Sequence, residues 1–147
     1  MPGDTPRIVL DTNAVLDWLY FRDPRCARLA EAVATERVRW IASASMRDEI
    51  EHVMTRGSLG DRWPDGLASV RDGWQRWAKT VDADAPASPA ALRCTDVDDQ
   101  KFIDLALDVR AVALLSADRA VLRLARRATA WGLAISTVER WRITSPP

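Results

Sequence analysis

The chain has 147 residues, of which 21 are basic and 21 are acidic, so its formal net charge is zero. A chain of this length predicts a single domain, residues 1–147, with its core over about 7–140 and a short tail at 143–147. The hydrophobic share of 48% excludes a disordered chain. With two distant cysteines and one histidine, the sequence has neither a disulfide framework nor a histidine-rich zinc site.

Neither a membrane span nor a secretion signal is visible in the sequence. No apolar run approaches the ~20 residues that a transmembrane helix needs. The first residues also lack the basic and then apolar order of a signal peptide. We therefore expect a cytoplasmic protein without a membrane partner.

Charge is distributed unevenly along the chain. Seven aspartates fall between Asp82 and Asp108, and six arginines fall between Arg119 and Arg142. This order is typical of a metal-dependent enzyme that acts on a polyanion, and arginine is well suited to phosphate because of its planar, two-pronged geometry. Ordinary surface charge produces the same pattern, so charge alone does not choose between the two interpretations.

Short apolar runs alternate with helical patterns. The predicted strands cover residues 7–10, 38–41, 111–115 and 132–135. Helices are predicted at 14–20, from Asp23-Pro24 onward, at 45–56 with Ser45 as its cap and Gly57 as its end, at 65–79, 96–110 and 119–127, and as one turn at 138–141. Residues 58–64 and 82–89 read as loops. The alternation predicts an α/β fold with a mostly parallel sheet covered on both sides.

Acidic residues follow several of these strands. They are Asp11 and Asp118, directly after strands, Glu49 early in the helix after the second strand, and the group Asp96, Asp98 and Asp99. Because the carboxyl ends of parallel strands meet at one edge, four acidic positions are expected to lie close together there. Carboxylates repel one another unless a cation neutralises them, and an all-oxygen ligand set favours Mg²⁺ or Mn²⁺. Each aspartate has a simpler interpretation as a helix cap.

The ordered motifs resemble a known family. They are Asp11-Thr-Asn13, Met46-Arg-Asp-Glu49-Ile, Asp96-Val-Asp-Asp99-Gln-Lys-Phe-Ile-Asp-Leu-Ala106 and Leu115-Ser-Ala-Asp118. Together they resemble the PIN-domain nucleases over roughly residues 7–140, and the branch of VapC-like prokaryotic toxin components is the most similar. No single motif is specific, whereas the ordered set is considerably more so.

The resemblance implies a three-layer α/β/α sandwich and Mg²⁺- or Mn²⁺-dependent cleavage of RNA, mostly single-stranded. It places Asp11, Glu49, Asp99 and Asp118 as catalytic metal ligands, with Asp98 and Asp96 in reserve for the third position. Asn13 and Ser116 become supporting residues, and Ser116 stands where the family often has threonine. The implied partners are an RNA substrate, a separately encoded antitoxin and a second copy of the chain.

Arginines and tryptophans supply the candidate RNA contacts. The arginines are Arg47, Arg119, Arg123, Arg126 and Arg127, the last four on one face of a helix. Solvated helix surface explains them equally well. Tryptophan occurs seven times, at positions 18, 40, 63, 74, 77, 131 and 141, and we expect packing or an interface rather than base stacking.

Two alternatives to the nuclease remain open. One is a PIN-like module that binds RNA or protein without cutting. The other is a phosphatase with Asp11 as nucleophile, which the absence of a second aspartate at position 13 disfavours.

Overall fold

A five-stranded parallel sheet organises the protein. The computed structural model describes residues 5–56, 65–82 and 84–143. The strands are β1 (Arg7–Leu10), β2 (Arg39–Ser43), β3 (Ala78–Val81), β4 (Ala113–Leu115) and β5 (Ala134–Ser136). Their order in the sheet is β3-β2-β1-β4-β5, and every neighbouring pair is parallel. The chain therefore reverses its direction of growth between β1 and β4, where open α/β sheets form a crevice at their carboxyl edge.

Helices connect and flank the strands. The α-helices are α1 (Thr12–Val15), α2 (Ala27–Ala34), α3 (Ala44–Thr55), α4 (Gly66–Trp77), α5 (Gln100–Asp108), α6 (Arg119–Leu122) and α7 (Ala125–Ala128). A π-helical stretch, Leu16–Tyr20, continues α1, and 3₁₀ turns at Pro24–Cys26 and Val97–Asp99 lead into α2 and α5. Further 3₁₀ turns lie at Ala90–Leu92 and Thr129–Trp131. This arrangement confirms the predicted α/β sandwich with its parallel sheet.

The core lies where the strands meet these helices. Ile8, Trp40, Leu114 and Ile103 have no exposed surface, because central strands and the inner face of α5 are covered on all sides. Tryptophan contributes heavily: Trp40 contacts Trp18 and Trp74 edge to face, with ring centroids 5.5 and 4.8 Å apart. None of the helices in the described ranges is both long and apolar enough to cross a bilayer.

Most predicted elements are confirmed, and four local predictions are wrong, three of which concern helices that flank the site. Ser43, not Ser45, caps α3 by accepting the N–H of Met46, so the helix begins earlier and Glu49 lies in its second turn. The predicted helix 119–127 is two short helices, α6 and α7. The helix predicted from residue 96 begins with a 3₁₀ turn, and its α-helical part starts at Gln100.

A fourth difference concerns the edge of the sheet. Residues 78–81 form β3, although the sequence predicted that the preceding helix reaches residue 79 and that a connector follows at 82. The predicted end of α3 at Gly57, the loop at 58–64, Trp63 and most of the predicted tail at 143–147 lie outside the described residues.

Candidate metal centre

Asp11 lies at the carboxyl end of β1 and is held there by two hydrogen bonds. Its Oδ1 accepts the backbone N–H of Ala14 at 2.8 Å, which caps α1, and its Oδ2 accepts the hydroxyl of Ser116 at 2.5 Å. The side chain is 3% exposed. Burial raises the pKa of Asp11 to about 6, and the nearby charge of Asp118 adds to this rise, although both hydrogen bonds oppose it.

Asp118 follows β4, the neighbour of β1 in the sheet, and lies at the start of α6. Its Oδ1 accepts the N–H of Ala120 at 2.8 Å and so caps α6. Its own N–H donates to Ser116 Oγ at 3.0 Å. Because the Ser116 hydroxyl accepts from Asp118 and donates to Asp11, this buried residue couples the two strand ends directly. The supporting role that the resemblance implies for Ser116 stays a prediction, and these two hydrogen bonds are the contacts through which Ser116 would act.

Asp99 completes the acidic group from the other side of the crevice. Asp96, Asp99 and Asp118 each offer a carboxylate oxygen, and these three oxygens lie within 4.8 Å of one another. Oδ2 of Asp99 is buried, and no donor among the described residues reaches it. Burial, followed by the carboxyls of Asp118, Asp96 and Asp11 in that order, raises the pKa of Asp99 to about 7. Within the part of the chain that the structure describes, none of the carboxylates of Asp96, Asp99 and Asp118 forms an ion pair.

The 3₁₀ turn explains why Asp96 and Asp99 come together. Residues three apart lie on the same side of a 3₁₀ helix, and these two aspartates bracket the turn Val97–Asp99. Asp96 caps the turn by accepting the N–H of Asp98 at 2.9 Å. The carboxylate of Asp98 is not part of the group within 4.8 Å.

Glu49 faces a lysine instead of the three aspartates. Its Oε2 lies 2.5 Å from Nζ of Lys101, and both side chains are about one-third exposed. The same ammonium group donates to the carbonyl of Asp98 at 2.8 Å. Glu49 is therefore tied to the segment that carries Asp99, but its charge is already balanced and it lies outside the group within 4.8 Å, as does Asp11.

Lys101 was not singled out in the sequence, although a signal was present. Only two of the 21 basic residues are lysines, and one of them stands two positions after Asp99. A lysine within a segment rich in aspartate has carboxylates close by with which it can form an ion pair.

The remaining candidate residues are on the surface. Asn13 lies in α1 with an exposed side chain. Arg119, Arg123, Arg126 and Arg127 are exposed along α6 and α7, and Arg119 directly follows Asp118. Arg47 is exposed on α3; the pKa of nearby Glu51 is lowered mainly by its hydrogen bonds from Arg71, and the charge of Arg47 adds a smaller effect.

The tryptophans in the described residues mostly pack inside. Trp18, Trp40, Trp74 and Trp141 are buried, and half-buried Trp77 stacks on Trp18 with ring centroids 5.3 Å apart. Trp131 is 44% exposed. The expectation that most tryptophans pack rather than bind bases agrees with these positions.

The chemistry of the centre fits a hard divalent cation. Its oxygens all come from carboxylates, the ligand type that Mg²⁺ and Mn²⁺ prefer. A buried carboxylate oxygen without a donor, beside two further carboxylates, is stable only when a proton or a cation neutralises it. The residues present therefore fit such an ion.

Fold and site together define a doubly wound α/β protein with a carboxylate centre at its topological switch point. The family model described as PIN domain matches residues 7–120, from the start of β1 to the start of α6. The chain therefore belongs to the PIN-domain family. PIN domains are typically nucleases, hence hydrolases, and generally use divalent metals. Comparison with curated proteins gives no match.

Proposed function

We propose that this protein is a Mg²⁺- or Mn²⁺-dependent endoribonuclease that hydrolyses phosphodiester bonds of single-stranded RNA. The observation that carries the proposal is the donor-free Oδ2 of Asp99, within a group of carboxylates at the carboxyl edge of a PIN-domain sheet. A single-stranded substrate also suits an open edge that does not have to separate a duplex.

Four acidic residues are the proposed ligands: Asp11, Glu49, Asp99 and Asp118. The position of Asp96 within the group supports its inclusion as a fifth acidic contributor. A divalent ion held there supplies Lewis-acid activation of the scissile phosphate and lowers the pKa of a water molecule. Ser116 positions Asp11 and Asp118 by joining them through its hydroxyl.

The exposed arginines are the proposed contacts to the RNA backbone. Arg119 adjoins Asp118, and three further arginines extend from it along α6 and α7. Phosphate contacts of this kind fix the strand without reading its sequence, and they weaken as salt is added. Arg47 on α3 is a candidate for the same role.

Cleavage of a labelled single-stranded RNA in the presence of Mn²⁺ or EDTA tests the proposal. We expect cleavage with Mn²⁺, none with EDTA, and none by Asp99→Asn with Mn²⁺ present. Asp108→Asn makes the same charge change at an exposed position at the end of α5, so it should cleave like the unmodified protein. Full activity of Asp99→Asn, with metal controlled, would refute the proposed centre.

The same assay separates the two alternatives. A binding module without activity would retain RNA across several divalent metals and cut none of it. A phosphatase would carry phosphate on Asp11, but both oxygens of this buried carboxylate accept hydrogen bonds, which disfavours nucleophilic attack by either.

We further propose that the protein acts in the cytoplasm as a homodimer and is the toxin of a type II toxin–antitoxin pair. The similarity of its ordered motifs to prokaryotic toxin components supports this. Induced expression in a bacterium should arrest growth, whereas expression of Asp99→Asn should not. Growth that continues despite demonstrated ribonuclease activity would contradict the toxin role and leave the nuclease intact.

A further inference from the structure

A cavity opens at the carboxyl edge of the sheet, beside the carboxylate centre. Its volume is about 340 Å³, within the ~300–1,000 Å³ that ligand sites span. It is lined by Ser43 and Ser45 at the carboxyl end of β2, by Asp84 after β3, and by Val97 and Lys101 from the segment around Asp99. The centre lies at the ends of β1 and β4, so the cavity occupies the next two strand ends of the same edge.

A chain of hydrogen bonds ends on Asp84. The hydroxyl of Ser45 donates to Asp84 Oδ1 at 3.1 Å, and Ser43 Oγ lies 3.0 Å from Ser45 Oγ. Because each hydroxyl has one hydrogen, Ser45 uses its own on Asp84 and accepts that of Ser43. Oγ of Ser43 in turn accepts the N–H of Met46, which anchors the chain to α3. Asp84 is thus an oriented acceptor.

The charges in the cavity exclude phosphate as its ligand. Asp84 and Asp104 bring two carboxylates, and the one lysine among its lining residues, Lys101, already faces Glu49 and the carbonyl of Asp98. No arginine or lysine within the described part of the chain forms an ion pair with Asp84. A polyanion would therefore place one of its uncharged groups in this cavity rather than a phosphate. Because Asp84 accepts hydrogen bonds, the group beside it must carry a hydrogen that it can donate.

Val97 adds an apolar contact between the cavity and the centre. It stands between Asp96 and Asp98 and is 82% exposed, the most of the large hydrophobic side chains that remain at the surface. A single exposed valine is ordinary on a protein surface, and what distinguishes Val97 is that it lines the cavity beside Lys101. In this position it offers a face to the sugar or base of a nucleotide.

We infer that this cavity is a nucleoside subsite, in which Asp84 accepts a hydrogen bond from a nucleotide next to the scissile phosphate. The donor is the ribose 2′-hydroxyl or an exocyclic amine of the base. The inference rests on the proposed nuclease function and gives the same centre a means of selecting its substrate.

RNA substrates from which one hydrogen-bond donor at a time has been removed test the subsite. The probe is a short single-stranded RNA that contains all bases and whose cut position has first been mapped. One series replaces each ribose near the cut with 2′-deoxyribose, and a second replaces guanosine with inosine or adenosine with purine riboside. We expect one position in one series to lose about tenfold in kcat/KM, because the missing donor removes a hydrogen bond to the exposed, charged carboxylate of Asp84. The series that responds tells the ribose from the base.

Asp84→Ala should abolish this discrimination. Asp82→Ala makes the same change two residues earlier, at an exposed position that does not line the cavity, and should keep it. A protein that cuts the parent RNA but discriminates equally in both variants, or not at all, overturns the subsite and leaves the nuclease standing. A protein that cuts no RNA overturns the proposed function and the subsite together.

Discussion

Replacing Asp99 by asparagine is expected to stabilise the metal-free protein at and above pH 7, although the same change removes its activity. The carboxyl of Asp99 has its pKa raised to about 7 by burial and by neighbouring carboxyls, so ionising it in the folded state is unfavourable. Asparagine has nearly the same shape and no charge. The variant therefore keeps the side chain and loses the repulsion.

The size of this stabilisation follows from the difference between the pKa of Asp99 in the folded protein and its ordinary pKa in the unfolded chain. Between the ordinary value of 3.8 and about 7, the folded state holds a proton that the unfolded chain releases, so stability falls by ~1.4 kcal/mol per pH unit. The full interval gives an upper limit of about 4 kcal/mol. Because Asp99 is only half-buried and solvent screens its charge, we expect about 1–2 kcal/mol.

Because the pKa of Asp99 is raised in the folded state, the difference in stability between the variant and the unmodified protein increases with pH. Below pH 4 both states are protonated and the variant gains nothing. The free energy of unfolding of the variant exceeds that of the unmodified protein by an amount that grows as the pH rises from 4 to 7 and is constant above 7. Asp11, with its pKa raised to about 6, makes both proteins lose further stability from pH 4 to 6, and it enters their difference only through its repulsion of Asp99, which the variant lacks.

Thermal unfolding in EDTA at a series of pH values measures this difference. At about 2–4 °C per kcal/mol for a chain of this size, Asp99→Asn should melt roughly 3–6 °C above the unmodified protein at pH 7.5. Added Mn²⁺ should stabilise the unmodified protein, since binding to the folded state alone raises its melting temperature, and should do so far less in the variant. Asp108→Asn should follow the unmodified protein under every condition.

Two results would refute this reasoning. If Asp99→Asn melts at or below the unmodified protein in EDTA at pH 7.5, the carboxylates do not repel one another as the geometry indicates. If both proteins gain equally from Mn²⁺, the ion binds elsewhere.

Three further predictions follow from the same contacts. Lys101→Met leaves the charge of Glu49 unbalanced beside the centre, so calorimetry should show Mn²⁺ bound severalfold more tightly, and weaker binding would contradict this. Gln100→Ala removes a buried amide that binds the main chain before α5, and urea unfolding should show a loss of about 2–4 kcal/mol, against less than about 0.5 kcal/mol for exposed Gln75→Ala. The affinity of Asp99→Asn for labelled single-stranded RNA should fall with added salt, with a slope in log K of about −0.7 per phosphate contact, and an affinity independent of salt would exclude the arginine surface.

The approximate positions of Asp11 and Asp118 could be predicted from the sequence because both residues follow strands of the parallel sheet. Asp11 directly follows β1, and Asp118 follows β4 after Ser116 and Ala117, so the parallel pairing of these two neighbouring strands brings both residues to the same edge of the sheet. Asp96 was harder to place. An α-helix beginning at residue 96 would have put it in the same turn as Asp98 and Asp99 without distinguishing them, whereas the 3₁₀ turn brings Asp96 and Asp99 to Asp118.

The nucleoside subsite depends on an element that the sequence did not reveal. Residues 78–81, Ala-Lys-Thr-Val, are short, only partly buried and joined to α4 without a turn signal, so helical periodicity extended over them. An edge strand with one neighbour carries little of the apolar pattern that identifies a central strand. Once β3 is in the sheet, the segment after it reaches the same edge as Asp11, and Asp84 there accepts the hydroxyl of Ser45 at the start of α3. The aspartates after residue 82 therefore serve two different purposes. Asp96 and Asp99 lie at the metal centre, whereas Asp84 faces the part of the substrate that carries no charge.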